Sequence, residues 1–317
     1  MAPEPAPETT QPAEEGQLAL FAELPGRSVA GGSAAAGIEL SLLEPLPEPP
    51  LHDVRRLSYS ALALFERCSY RYFAERVAGL RPVPVERVAG NGSHDDGANV
   101  SALAGTEIGD AVHRLLETVP LHEPVPPPRA DLDATVRAWY PAATDAELDR
   151  IVGLVDAYCA SPLAARLASL AGARTERPFA FEHDGVLLHG RLDVLWREGS
   201  RALVVDYKSN ALDGADPAAV VEAEYRLQRL VYALACLRDG ADEAEIVYQF
   251  LERPDDLVGE TFTAADGESL ESELSEAIGR IRAGDFHPTP SEFACAGCPA
   301  LDVVCAGPRL PLEAFRT

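Results

Sequence analysis

Two aspartates and a lysine on neighbouring stretches carry the clearest chemistry in this 317-residue sequence. From Gly190 to Ser209 the chain reads GRLDVLWREGSRALVVDYKS. Gly199-Ser200 suits a two-residue turn with glycine in the first central position. With that turn, Glu198 pairs with Arg201, Trp196 with Leu203, and Asp193 falls opposite Asp206. Strand alternation then places Arg191, Asp193, Leu195, Val204, Asp206 and Lys208 on one face. Leu192, Val194, Trp196, Leu203, Val205 and Tyr207 form an apolar opposite face that should pack against helices. Like charges on facing strand positions repel, by about 4 kcal/mol at about 4 Å and an effective dielectric near 20. A divalent cation between them would reverse the sign, and hard carboxylate oxygens suit Mg²⁺ or Mn²⁺. Lys208, two residues along the same face, would then set a positive charge beside the metal-bound water or a scissile phosphate. The plainer alternative is a hairpin with solvated charges, in which Lys208 pairs with Asp206.

Three other groups invite the same question. Gln228 and Tyr232 are four residues apart, on one helical face among Leu227, Leu230, Val231 and Leu234. They read either as a polar edge of an amphipathic helix or as a support for the hairpin. His113 has Glu117 one turn further along its helix, and a lone helical histidine is ordinarily structural. Of six cysteines, Cys295, Cys298 and Cys305 cluster late in the chain, while Cys68, Cys159 and Cys236 are scattered. A cluster like this in a chain of this size points to a metal site sooner than to a disulfide framework. Cys159 and Cys236 fall in apolar helical stretches and read as core residues.

The elements that must position these groups follow from periodicity. Ser58 or Ser60 can cap a helix running through Leu62, Phe65, Cys68 and Tyr72. Asn91 to Asn99 is a Gly- and Asp-rich loop, and Thr106 opens a helix that buries Ile108, Val112, Leu115 and Leu116 until the Pro-rich run 120–128. Helices are expected at 132–139, 146–160 and 162–170, then strands at 176–182, 186–196 and 202–207. A helix at 218–237, a strand at 245–251 and a helix at 268–283 complete the pattern. There is no internal repeat and no GxxxxGK[ST] phosphate loop, hence no visible ATPase.

Residues 1–56 are rich in Pro, Ala, Gly and Glu, with only Arg27, Arg55 and Arg56 positive, and read as a disordered acidic tail or linker. Residues 57–317 are read as the folded domain. The chain carries 27 Lys and Arg against 51 Asp and Glu, a net charge of −24. That balance excludes nucleic-acid binding through a diffuse basic surface and leaves a focused groove, metal ions or a charged partner. The most apolar stretch, 151–171, is interrupted by Asp156, Pro162 and Arg166, and the start lacks a basic-then-apolar leader. The expectation is a cytoplasmic protein with no membrane partner.

In combination, these residues resemble the PD-(D/E)XK nuclease core. GRLDVL with Asp193, VVDYKS with Asp206-Tyr207-Lys208, and the Gln228-x-x-x-Tyr232 pair are similar to its RecB-like branch. Gly109 to His113, in GTEIGDAVHRLLE, matches that branch's upstream Gly-x-x-x-His motif. The resemblance runs from about Leu57 to Pro308. It implies an α/β fold with a restriction-endonuclease-like core, a central mixed sheet flanked by helices. It implies that His113, Asp193 and Asp206 are metal ligands, helped by the Tyr207 carbonyl, and that Lys208 orients the attacking water and steadies developing charge. Gln228 and Tyr232 would touch the DNA strand or support the site, and Glu176 loosely matches an acidic position on the strand before the hairpin. The cysteines fit relatives of AddB type, which implies a [4Fe-4S] cluster on Cys68, Cys295, Cys298 and Cys305, tying position 68 to 295. Structural Zn²⁺ is the rival, since four cysteines suit it equally. Ser69 stands where relatives often have proline after the first cysteine.

The implied function is metal-dependent phosphodiester hydrolysis with Mg²⁺ or Mn²⁺, a single-strand DNA exonuclease in repair or recombination. It would act alone or with a UvrD- or AddA-type helicase. The alternative is a non-cleaving DNA-binding or scaffold module of a helicase–nuclease complex, against which the complete Asp/Asp/Lys set argues. A structural zinc protein would explain the cysteines but not the hairpin.

Overall fold

Ser58 closes a three-residue strand, β1 (Arg56–Ser58), and its hydroxyl accepts the Ala61 N–H at 3.2 Å, which caps α1 (Tyr59–Arg67). In this computed structural model, residues 53–81, 103–295, 297–301, 303–305 and 307 are described. The expected tail up to residue 52 and the loop Asn91–Asn99 lie outside them. Folded structure begins slightly ahead of Leu57, since Val54 is already buried.

The helix expected to run past Cys68 is broken there. Cys68 is extended (φ −159°), and the chain restarts as α2 (Ser69–Tyr72) and a π turn, Phe73–Val77. Then come α3 (Gly105–Thr118), α4 (Arg129–Trp139), α5 (Asp145–Cys159) and α6 (Pro162–Ala168). Their starts are fixed by side chains satisfying free N–H groups. Glu107 reaches back to the Ala104 N–H, Thr144 and Glu147 form a reciprocal box, and Ser161 caps a helix with Pro162 in its first turn. Helices α5 and α6 are bent 56° apart, and no single described helix is long and apolar enough to cross a membrane.

The strands are β2 (Arg174–His183), β3 (Val186–Glu198), β4 (Arg201–Lys208), β5 (Glu243–Phe250) and β6 (Val258–Thr263). Between β4 and β5 lie α7 (Pro217–Val220), a second π turn (Val221–Tyr225) and α8 (Arg226–Arg238). The chain continues through α9 (Gly267–Arg282) to α10 (Glu292–Cys295). The sheet order is β1-β3-β4-β5-β6, with β2 on the far edge of β3. It is mixed: β1 with β3 and β4 with β5 are parallel, whereas β2–β3, β3–β4 and β5–β6 are antiparallel. Two strands, β1 and β6, extend the sequence expectation. Both are short and largely polar, so neither carries a strand pattern of its own.

Each face of the sheet has its own apolar layer. Helices α1, α8 and α9 cover Val186, Leu188, Leu192, Val204 and Ile246. Helices α3, α4, α5 and α6 cover Val194, Trp196, Leu203, Val205, Tyr207 and Val247. Burying each such side chain contributes about 1.5–3 kcal/mol. Among the apolar residues of the hairpin the expected faces hold except at Leu192, which packs in the α1/α8 layer and not beside Val194.

That exception has a local cause. The ladder between β2 and β3 pairs Thr175 with Val194 and Arg177 with Leu192, skipping Glu176 and Asp193. Glu176 has φ +50°, a conformation uncommon for a residue with a side chain. On the other edge, pairing of β3 with β4 ends at Val194–Val205, one pair short of the expected Asp193–Asp206. The strand is therefore released from both neighbours at Asp193, and its alternation slips by one.

Candidate active site

β1 and β4 share one edge of β3, β1 at 187–189 and β4 from 194 onward. The site occupies the gap between them. Gly190 borders it because nothing larger fits: a Cβ would lie 2.8 Å from the rings of both Phe179 and Tyr59.

Asp206 enters from β4 and is almost completely enclosed, its side chain 3 % exposed. Its Oδ1 accepts from Gln228 Nε2 and from the Tyr232 hydroxyl, each at 3.0 Å. The Tyr232 hydroxyl also reaches the Arg191 carbonyl at 3.2 Å, bridging the open edge of β3. Lys208 Nζ stands 2.5 Å from Asp206 Oδ2 and donates to Gln228 Oε1 at 2.9 Å. The Lys208 ammonium also lies 4.0 Å from the centre of the Tyr225 ring, in cation–π contact. Burial raises the Asp206 carboxyl above the ordinary aspartate range, Lys208 pulling it down and Asp193 pushing it up.

Asp193 is more open, its side chain 14 % exposed. Its Oδ2 accepts the Tyr207 backbone N–H at 2.8 Å and has His113 Nδ1 at 3.5 Å. Burial opposes the charged imidazole of His113, but the Asp193 carboxylate outweighs it and raises the pKa above the usual histidine value. Helix α3 can bring His113 this close because of the glycine one turn earlier: a Cβ on Gly109 would sit 3.0 Å from Ser209 Oγ.

The structure thus brings His113, Asp193, Asp206, Lys208, Gln228 and Tyr232 together. Gln228 and Tyr232 are fully buried, so of their two expected roles the geometry gives them support of Asp206 and Lys208. The Tyr207 ring points into the α3–α6 layer, edge-on to Tyr158 at 4.9 Å and 6.3 Å from the His113 ring, while its backbone N–H meets Asp193. The expected repulsion between the aspartates is met at Asp206 by the Lys208 ammonium, while His113 stands beside Asp193. Among the described residues, no group of three or more His, Cys, Asp or Glu side chains is drawn together as a ready metal cage. The donors nonetheless fit a hard divalent ion. Two carboxylates and an imidazole border the gap, and buried Asp206 Oδ2 makes no well-directed hydrogen bond.

Sequence reasoning missed two tyrosines. Tyr59 packs edge-on against Tyr232 at 5.7 Å, and burial plus the charges of Asp206 and Asp193 raise its pKa. It therefore remains a neutral hydroxyl in the field of both acids. Tyr225 ends the π turn with φ −123°, which interrupts the helix expected over 218–237 and lays its ring under Lys208. No periodic signal marks either residue. Glu176 lies across from Asp193 and is held by Arg191 at 2.9 Å.

The cysteines occupy a separate place. All six are free thiols. Cys298 packs with Ala74, Ala300 and Cys305; burial raises its thiol pKa, backbone N–H groups and Arg71 pull it back, and Cys68 is near enough to add a smaller upward push. The Thr289 N–H points at Cys68 Sγ from 3.5 Å. Arg71, beside Cys68, donates to the Ala294 carbonyl at 2.9 Å, and the Ser69 hydroxyl and His287 backbone bond each other at 2.7 and 3.1 Å. Ser69 thus does work that a proline there would not.

Residues 56–305 match the family model of the PD-(D/E)XK nuclease superfamily. No curated protein matches the chain. Among solved structures, the chain is similar to a protein of Eubacterium rectale provisionally named an exonuclease. That likeness has 14% identity and a TM-score of 0.46, covering 79% of this chain and 90% of the other. It is also similar to SSO0001, with 17% identity and a TM-score of 0.32, over 64% of this chain and 95% of that one.

Proposed function

The chain belongs to the PD-(D/E)XK nuclease superfamily, and we propose that it is a metal-dependent exonuclease acting on single-stranded DNA in repair or recombination. One observation carries the reading. The Lys208 ammonium is held by Asp206, Gln228 and Tyr225 at the edge of a gap onto which Asp193 and His113 also open.

His113, Asp193, Asp206 and the Tyr207 carbonyl would hold Mg²⁺ or Mn²⁺. Such an ion supplies polarisation of a phosphodiester and acidification of water. The protein's own groups do the rest. Gln228 and Tyr232 fix the Asp206 carboxylate from behind, so that its direction is set before substrate arrives. Lys208 Nζ keeps one donor on Gln228 and directs its charge toward the attacking water and the charge that develops on phosphate. Tyr59 and Tyr225 wall the pair with rings and exclude bulk water, which strengthens each of these interactions.

The thiols of Cys68, Cys295, Cys298 and Cys305 are free but, among the described residues, are not drawn together in a group of three or more. The family resemblance implies a [4Fe-4S] cluster on these four, with structural Zn²⁺ as the alternative. Its role would be to tie the segment after α9 to α2. A helicase of UvrD or AddA type, as the family resemblance implies, would supply unwound strands.

The test is cleavage of end-labelled linear single strands against closed circular DNA, using anaerobically purified protein with Mg²⁺, Mn²⁺ or EDTA. Metal-dependent loss of the linear strand alone is the expected result. Equal activity in Asp206→Ala and Lys208→Ala would overturn the site. Iron and sulfide content with broad visible absorbance identifies the cluster, and stoichiometric zinc replaces it.

A further inference from the structure

Two unpaired arginines stand in a hollow of about 490 Å³ beside the site, between the end of α3, the end of α6 and the start of β2. Arg174 and Arg177 are both exposed and both line it, with His122 and the carboxylate of Glu117. In a chain of net charge −24, most described arginines are held by a carboxylate, as Arg166 is by Glu245 and Arg191 by Glu176. Neither Arg174 nor Arg177 has such a partner among the described residues.

Both line the hollow from either side of Glu176, whose positive φ strains the strand between them. Strain of this kind persists where the surroundings impose it, and it clusters where ligands bind. The same residue is opposite Asp193, and Glu117 lies one turn beyond His113 on α3, about 6 Å along the axis. Glu117, Glu176 and Asp193 are near enough for their charges to interact. The hollow therefore adjoins the cleft.

We propose that Arg174 and Arg177 form a phosphate-binding track that receives the nucleic-acid backbone flanking the scissile bond. Planar guanidinium groups match phosphate oxygens in paired geometry, and two in one hollow can hold adjacent phosphates of a flexible single strand. This supplies the focused groove that an acidic protein needs, and it deepens the nuclease reading on which it rests.

The test compares wild-type protein with the double variant R174A/R177A. Fluorescence anisotropy of a labelled single-stranded oligonucleotide is measured in EDTA, where no cleavage occurs, across a range of salt. Expected is at least a tenfold weaker affinity and a salt slope reduced by about 1.4, about 0.7 for each lost phosphate contact. Arg-to-Lys replacement at both positions should restore most of the slope. With metal, KM for the oligonucleotide should rise while kcat changes less than twofold. Hydrolysis of bis(p-nitrophenyl) phosphate, too small to reach the hollow, should be unchanged. Equal affinity and slope in R174A/R177A, or no binding by wild type, would overturn the track. Wild-type binding without any hydrolysis would overturn the nuclease reading alone, because anisotropy still reports on the arginines.

Discussion

The two aspartates of the site are held in opposite ways. Asp206 is sealed against α8, with Gln228, Tyr232 and Lys208 on its oxygens. Asp193 stands where β3 has let go of both neighbours and meets only a backbone N–H and a histidine. The closed wall fixes direction and charge, whereas the open one retains capacity for substrate or metal. The proposed phosphodiester-cleaving site would use both, and the sheet provides them by interrupting one strand while leaving the next intact.

This contrast can be broken most directly by comparing Asp206→Ala with Asp193→Ala. Both should reduce cleavage severely, by about 10²–10³-fold on the scale of losing one transition-state electrostatic contact. Only Asp206→Ala should also cost about 3–5 kcal/mol in urea unfolding, because it leaves Lys208 without its buried counter-charge. Asp193→Ala should cost less, about 1.5–3 kcal/mol, the value of one hydrogen bond to a charged group. Equal destabilisation would remove the distinction.

Tyr232→Phe sharpens it from the closed side. The lost hydroxyl served Asp206 and the Arg191 carbonyl, so stability should fall by about 1.5–3 kcal/mol and kcat with it, with KM little changed. From the open side, Gly109→Ala should separate activity from stability. Alanine favours the helix by up to about 1 kcal/mol, yet its Cβ would press on Ser209 Oγ and push His113 outward. Thermal melting should hold or rise while cleavage drops severalfold.

A further effect concerns the closed wall's apolar backing. Burial lifts the Cys236 thiol on α8 from 9.0 to about 12. Because the folded value lies above the unfolded one, this contribution is complete below pH 9 and disappears as pH rises toward 12. Urea midpoints should decline across that window, and less steeply in Cys236→Ala.

The hairpin was legible because its turn, its alternation and its charged face all obey short-range rules. Register from Glu198–Arg201 to Val194–Val205 is as the turn dictates. What failed was the last pair, since the release at Asp193 originates in Glu176 on another strand, which no pattern within the hairpin encodes. The same holds for Tyr225. Its helix reads as continuous, and the extra residue in the turn makes sense only once Lys208 is known to lie against it. Tyr59 follows a cap that sequence did identify, but its partner Tyr232 is distant in the chain. The two-layer α/β architecture was visible from the order of helical and alternating segments. β1 and β6 were invisible because each borrows its pairing from a strand already formed.

One attachment described above also sets a clock. The bonds joining Ser69 to His287 span 218 residues. At a synthesis rate of about 5–20 residues per second, α2 waits on the order of 10–40 s on the ribosome before its partner emerges. During that interval the ring of Tyr72 and the thiol of Cys68, both buried in the finished protein, lack the segment that covers them. The newborn chain thus carries an exposed aromatic and an exposed sulfur through most of its own translation, and its yield depends on what they meet before the clasp closes.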